Sequence, residues 1–177
     1  MTEIGKERIL KIVQADIKDP IKIVLKNKSY RSAVMLILIG IDTMAYLSTP
    51  ANKKNQDCYD FIEWVDKYVL FEGREKLTGL ELYIARCVIL HSYSDYSSIM
   101  SMGDCRKIEY TDQSNPDATG YNPEESDKTV KVSVHALSDA FFKGLDRFFD
   151  YLFSNKEKVL LVEKRLDELM LKFPTVL

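Results

Sequence analysis

The sequence predicts a mainly α fold: a helical bundle with a small β-hairpin and long loop inserted at about 105–134. Three observations predict it. Apolar residues recur at three- and four-residue spacing through most of the chain. Strict alternation is confined to two short tracts, KIEY at Lys107–Tyr110 and TVKVSV at Thr129–Val134. The tract between them, TDQSNPDATGYNPEESDK, is turn chemistry with two Asn-Pro pairs and a glycine. The 177 residues suit one domain, 1–177, with enough material for a substantial core.

Taken in order, residues 2–18 carry Ile4, Ile9, Leu10, Ile12, Val13 and Ile17 near one helical stripe. Asp19-Pro20 resembles a cap with proline at the first helical position, opening a second short helix, Pro20–Lys26. A stronger helix runs from Ser29 or Tyr30 to about Leu47 and stops before Thr49-Pro50. Its Ala33–Ile41 stretch is apolar on every face, which marks a central buried helix. The polar loop Thr49–Gln56 leads into an amphipathic helix, Asp57–Phe71, in which Trp64 sits off the apolar stripe and would cover a neighbour or a partner chain.

Thr78-Gly-Leu-Glu81 is a capping box, and it dates the start of the helix that reads on to Tyr93. Ser92–Met102 continues or restarts that helix. His135–Phe153 places Leu137, Phe141, Leu145, Phe148, Phe149 and Leu152 at helical spacing, and Asn155 can cap a last helix, Lys156–Lys172. That last helix offers Val159, Leu160, Val162, Leu166, Leu169 and Met170 as its apolar face.

Composition excludes several classes. A net charge of −2 advertises no global nucleic-acid field, although a few placed cations suffice for phosphate. Such a local excess exists at Lys18, Lys22, Lys26, Lys28 and Arg31, either a solvated face or an RNA-backbone contact. The three cysteines, Cys58, Cys87 and Cys105, are unevenly spaced and form no CxxC, so a disulfide framework or zinc site is not expected. No Walker-type loop, GxGxxG, GxSxG or HExxH occurs, and no cofactor or metal is expected. The opening MTEIGKERILKIVQ lacks a signal-peptide core, and the longest apolar run falls well short of the ~20 residues that span a bilayer. The expectation is a soluble cytoplasmic protein with no membrane partner.

The residue that resists this bland reading is Arg86, a cation on a helix that is apolar nearly all round. Leu80, Tyr83, Ile84, Cys87 and Val88 make one stripe, while Arg86 projects on a second side with Leu82, Ile89 and Leu90. Burying such a charge without a partner is expensive, so that side is expected to meet another element or a second subunit. His91 follows five positions later. On an unbroken helix the two would point apart by ~140°, so they converge only where the helix ends or tightens. Asp42, directly after the apolar run, either reaches solvent or faces a polar group inside the bundle. His135 reads as packed or capping rather than catalytic.

ELYIARCVILHSYS resembles the R-x4-6-H element of HEPN domains, and IGIDTMAYLSTP and FIEWVDKYV are similar to segments of one uncharacterised bacterial group of them. The resemblance covers roughly residues 30–95. It implies a HEPN-like helical bundle that homodimerises so that two motifs share a cleft, and a metal-independent endoribonuclease, toxin-like or defence-associated, with a cognate antitoxin as a candidate partner. Arg86 would then bind phosphate and stabilise transition-state charge, and His91 would move the proton. Asp42, Ser92 and Tyr93 would support them, with Lys53 and Lys54 as candidate RNA-backbone contacts. Cys87 stands where many active members carry a polar residue, often asparagine. The alternative is a non-catalytic HEPN-like module that binds RNA, a nucleotide or a protein.

Overall fold

A computed structural model describes residues 3–53, 55–71, 77–90, 105–112, 120–121 and 129–169. Helix α1 (Glu3–Val13) passes through a π-helical turn, Gln14–Lys18, into α2 (Asp19–Lys26). The expected cap at Asp19 is absent, because Lys18 is itself helical (φ −66, ψ −47) and the rod continues without a break. Pro20 explains the wider turn. It has no N–H for the preceding turn, and the looser π register absorbs that loss, with the Asp19 N–H reaching back to the Gln14 carbonyl. The rod then closes in a Schellman arrangement, Ser29 N–H to Val24 O at 2.8 Å and Lys28 N–H to Leu25 O at 2.9 Å, with Lys28 at φ 57.

The long helix α3 (Tyr30–Ser48) is the axis of the fold and packs against α2, α4 (Cys58–Tyr68), α5 (Gly79–Leu90), α6 (Val134–Phe153) and α7 (Lys156–Leu169). Its length and hydropathy would let it cross a membrane, but half of that window is buried inside the protein, where Ala33, Ile37, Leu38, Ile41 and Met44 are fully enclosed. Trp64 belongs to this core and not to an outer face. It is 2 % exposed and packs on Tyr68, Phe141 and Phe148 at ring-centroid distances of 5.3–6.1 Å, each such pair worth about 1 kcal/mol beyond its area.

Both later caps form as expected. Asn155 Oδ1 accepts from the N–H groups of Glu157 and Lys158 at 3.0 and 3.2 Å. At Thr78, its N–H donates to Glu81 Oε2 at 2.8 Å while Glu81 N–H donates to Thr78 Oγ1 at 3.2 Å. On α7 the periodicity misleads at two positions: Leu160 and Leu169 are exposed, and the buried face includes Arg165.

The fold class is as expected, mainly α with a small β insertion, but the two expected strands do not pair with each other as a hairpin. β1 (Lys107–Thr111) pairs in parallel with β3 (Thr129–Ser133), and the short β2 (Gly120–Tyr121) lies antiparallel on the other side of β3. Alternation identifies a strand without giving its direction, and a connection as long as 112–128 can carry the chain back for a parallel pairing. β3 runs directly into α6, whose N-cap Ser133 accepts from Ala136 N–H at 3.2 Å. His135, just inside that helix, packs edge-on against Tyr30 at 5.7 Å, the packed role its position suggested.

Candidate functional site

Arg86 meets its partner within the same chain. It lies on α5 opposite the middle of α3, and its Nη2 donates to Asp42 Oδ2 at 2.7 Å. The Asp42 carboxylate also accepts from Gln56 Nε2 on Oδ1 at 3.2 Å. Three segments distant in sequence therefore converge on one carboxylate: α3, the chain leading into α4, and α5. The pair is only partly screened, with the Arg86 and Asp42 side chains 18 % and 27 % exposed. Burial works against the arginine's charge, but the hydrogen bond and field of Asp42 outweigh it and hold the guanidinium above its ordinary pKa. Of the two readings of Asp42, the structure places it against a polar group inside the bundle.

The second side of α5 is thus covered in part by α3 of its own chain, and a second subunit is not required to explain Arg86. Leu82 is fully buried there and Ile89 is packed against the core. On the other side, Arg86 Nη1 lies 4.0 Å from Cys87 Sγ. Tyr83, one turn back, stacks edge-on to Phe61 of α4 at 5.7 Å. Burial, then a hydrogen bond with Cys87 and the nearness of Cys58, push the Tyr83 phenol up to about 12.

The remaining candidates divide. Lys53 is held intramolecularly, its Nζ 2.8 Å from Asp57 Oδ2 and 2.7 Å from Asp60 Oδ2, so two carboxylates at the start of α4 compete with any phosphate for it. Lys54, His91, Ser92 and Tyr93 lie outside the described residues. Among the described residues, no group of three or more His, Cys, Asp or Glu is arranged to hold a metal ion.

Two arginine networks were missed by sequence reasoning, one an ion pair and one made of backbone carbonyls. Arg106, just before β1, donates from Nε to Glu81 Oε1 at 2.7 Å and from Nη2 to Glu81 Oε2 at 3.2 Å. Burial disfavours the Glu81 carboxylate, but the Arg106 hydrogen bond, followed by the Thr78 N–H, more than compensates and leaves it below its ordinary pKa. Arg165 of α7, 6 % exposed, donates to the backbone carbonyls of Tyr46, Leu47, Thr49, Pro50 and Lys53. It closes the C-terminal end of α3 and the loop beyond it, the same loop that delivers Gln56 to Asp42. Neither had a local signal: each partner lies in another element, and only an arginine breaking an apolar stripe on α7 hinted at the second.

A cavity of about 830 Å³ opens between the start of α3, the end of α5 and β1. It is lined by Tyr30, Arg31, Met35, Ile89 and Tyr110 among others. It brings one cation of the basic stretch, Arg31, to the same end of α5 as the arginine motif. No protein-family model matches the chain, and no curated protein or solved structure matches it.

Proposed function

We propose that the chain is a HEPN-like, metal-independent endoribonuclease, possessing an Arg86/His91 site that a homodimer would complete. The observation that carries this reading is the Asp42–Arg86 pair. A guanidinium on a largely apolar helix is fixed by a carboxylate from the central helix, yet remains partly open to solvent. A preorganised, permanently charged fork of this kind suits phosphate oxygens. In the reaction His91 takes the proton of a ribose 2′-hydroxyl, the oxygen attacks phosphorus, and the 5′-oxygen leaves and is protonated. Arg86 neutralises the charge that builds on the phosphoryl oxygens. The products are a 2′,3′-cyclic phosphate and a 5′-hydroxyl. Arg31, which lines the cavity beside α5, supports a backbone contact for the substrate.

The test is incubation of purified protein with structured and single-stranded RNA in EDTA. Cleavage with cyclic-phosphate ends is expected, and His91→Ala should lower the rate by at least about 10²-fold. Absence of cleavage, or cleavage unchanged in both His91→Ala and Arg86→Ala, rejects the reading.

A second reading, a non-catalytic RNA-, nucleotide- or protein-binding module, is favoured by two details. Asp42 already neutralises much of the Arg86 charge, and Cys87 occupies the place next to it. RNA affinity without turnover would select this alternative. A cytoplasmic location and an antitoxin partner belong to the toxin-like version of the first reading.

A further inference from the structure

We infer that the cavity at the C-terminal end of α3 binds a small aromatic carboxylate that carries an oxygen acceptor at its far end. The inference does not rest on ribonuclease activity, and the cavity lining includes neither Asp42 nor Arg86. It rests on a buried donor that the packing leaves over and on two ammonium groups gathered beside one ring.

The cavity, about 480 Å³, lies where the end of α3 and the loop beyond it meet α4, α6 and α7. That volume falls in the range that holds a small organic molecule. Leu47, Trp64, Tyr68, Phe148, Leu152 and Val162 give it buried apolar and aromatic walls. Thr49 and Pro50 complete one side, and Arg165 holds the carbonyls of both, so that wall is preformed. Trp64 is 2 % exposed, yet its Nε1 finds no acceptor among the described residues. A buried N–H left without an acceptor is costly, and the cavity that this indole lines can admit one.

The charged lining decides what else the ligand carries. Lys67 Nζ of α4 and Lys158 Nζ of α7 both lie over the ring of Tyr151, 4.2 and 4.0 Å from its centroid. Neither makes an ion pair with a carboxylate among the described residues. Asp60, Glu63 and Glu157 line the cavity as well. Asp60 is already engaged, accepting from Lys53 Nζ at 2.7 Å and from the Asp57 N–H at 2.8 Å. Glu63 and Glu157 are exposed, where water and salt screen them. The gathered lysines therefore favour an anion. Tyr68 links them to the orphan donor, its ring centroid 5.3 Å from that of Trp64 and 5.0 Å from Lys67 Nζ. A carboxylate at the lysines, a ring along the apolar walls and an oxygen on Trp64 Nε1 fit one small molecule.

Trp64 is the only tryptophan in the sequence, so its emission reports on this cavity directly. The experiment titrates the folded full-length chain with 4-hydroxyphenylacetate, with phenylacetate, which lacks the far oxygen, and with tyramine, which has an ammonium in place of the carboxylate. Emission and calorimetric heat should saturate for 4-hydroxyphenylacetate with a Kd below about 1 mM. Phenylacetate should bind about tenfold more weakly, and tyramine should give no saturable signal. Lys67→Gln combined with Lys158→Gln should weaken 4-hydroxyphenylacetate at least about tenfold with the thermal midpoint unchanged. Trp64→Phe, followed by calorimetry, should bind the two acids equally. No saturable binding of 4-hydroxyphenylacetate below about 10 mM would mean that solvent alone serves the indole and would overturn the inference. Tyramine binding as tightly as the acid, or an affinity unchanged in the double lysine variant, would overturn it too. The comparison of the three probes needs only the unsubstituted protein.

Discussion

Two arginines hold the ends of one story about α3, and they do so differently. Arg165 is almost wholly enclosed and spends its guanidinium on five backbone carbonyls, two in the last turn of the helix and three in the loop beyond it. Arg86 approaches the same helix further up, meets a single carboxylate from it, and stays partly open. The first arrangement satisfies the orphan carbonyls that every helix end leaves, and a change there removes a structural fastening. The second puts a fixed charge where a ligand could compete for it. The fold therefore carries one arginine enclosed on backbone carbonyls and one ion-paired to a carboxylate and partly exposed.

The largest expected effect follows from that contrast. Arg165→Met should destabilise the protein by about 3 kcal/mol, because several buried carbonyls lose a charged donor at once. Arg165→Lys should recover only part of this, since an ammonium lacks the planar fork that spans carbonyls from Tyr46 to Lys53. Urea unfolding followed by circular dichroism measures both. A loss below about 1 kcal/mol for Arg165→Met would mean that water replaces the arginine adequately and that the contrast with Arg86 is weaker than drawn.

The Glu81–Arg106 pair sets an intermediate case. Its carboxylate is buried and held below its ordinary value of 4.5. A carboxylate depressed on folding contributes stability that is complete above that value and is lost as pH falls through the lower folded value. Arg106→Leu should cost about 2 kcal/mol at neutral pH and flatten the acid limb of the stability curve. Unfolding midpoints measured from pH 7 down to pH 3 give the comparison. An unchanged acid limb would show that the Thr78 cap alone sustains the charge.

Much of this architecture was legible in the sequence. Apolar periodicity located the helices, and the Thr78/Glu81 and Asn155 caps dated two starts, because these signals act between residues less than one turn apart. Even the Asp57/Asp60 capping box of α4 could have been read from DCYD at the same spacing. What stayed hidden acts over distance. Asp42 and Arg86 were singled out separately, each for a charge at the edge of an apolar run, but their contact joins positions 44 apart. The Glu81–Arg106 and Arg165 networks join positions at least 25 apart, where no local pattern constrains the partner. Strand direction was likewise invisible, since alternation is the same in parallel and antiparallel pairs.

The smallest expected effect on stability is also the most telling, because it separates the two arginines. Arg86→Ala should cost about 1 kcal/mol, as its pair with Asp42 is partly exposed, while abolishing RNA cleavage in EDTA. The decisive measurement is therefore paired: the unfolding midpoint and the RNA cleavage rate of Arg86→Ala beside those of Arg165→Met. A nearly unchanged midpoint with the rate down by at least about 10²-fold is the expected result for Arg86→Ala. A midpoint that falls as far as that of Arg165→Met, with cleavage per folded molecule intact, would make Arg86 a second structural fastening and contradict the account.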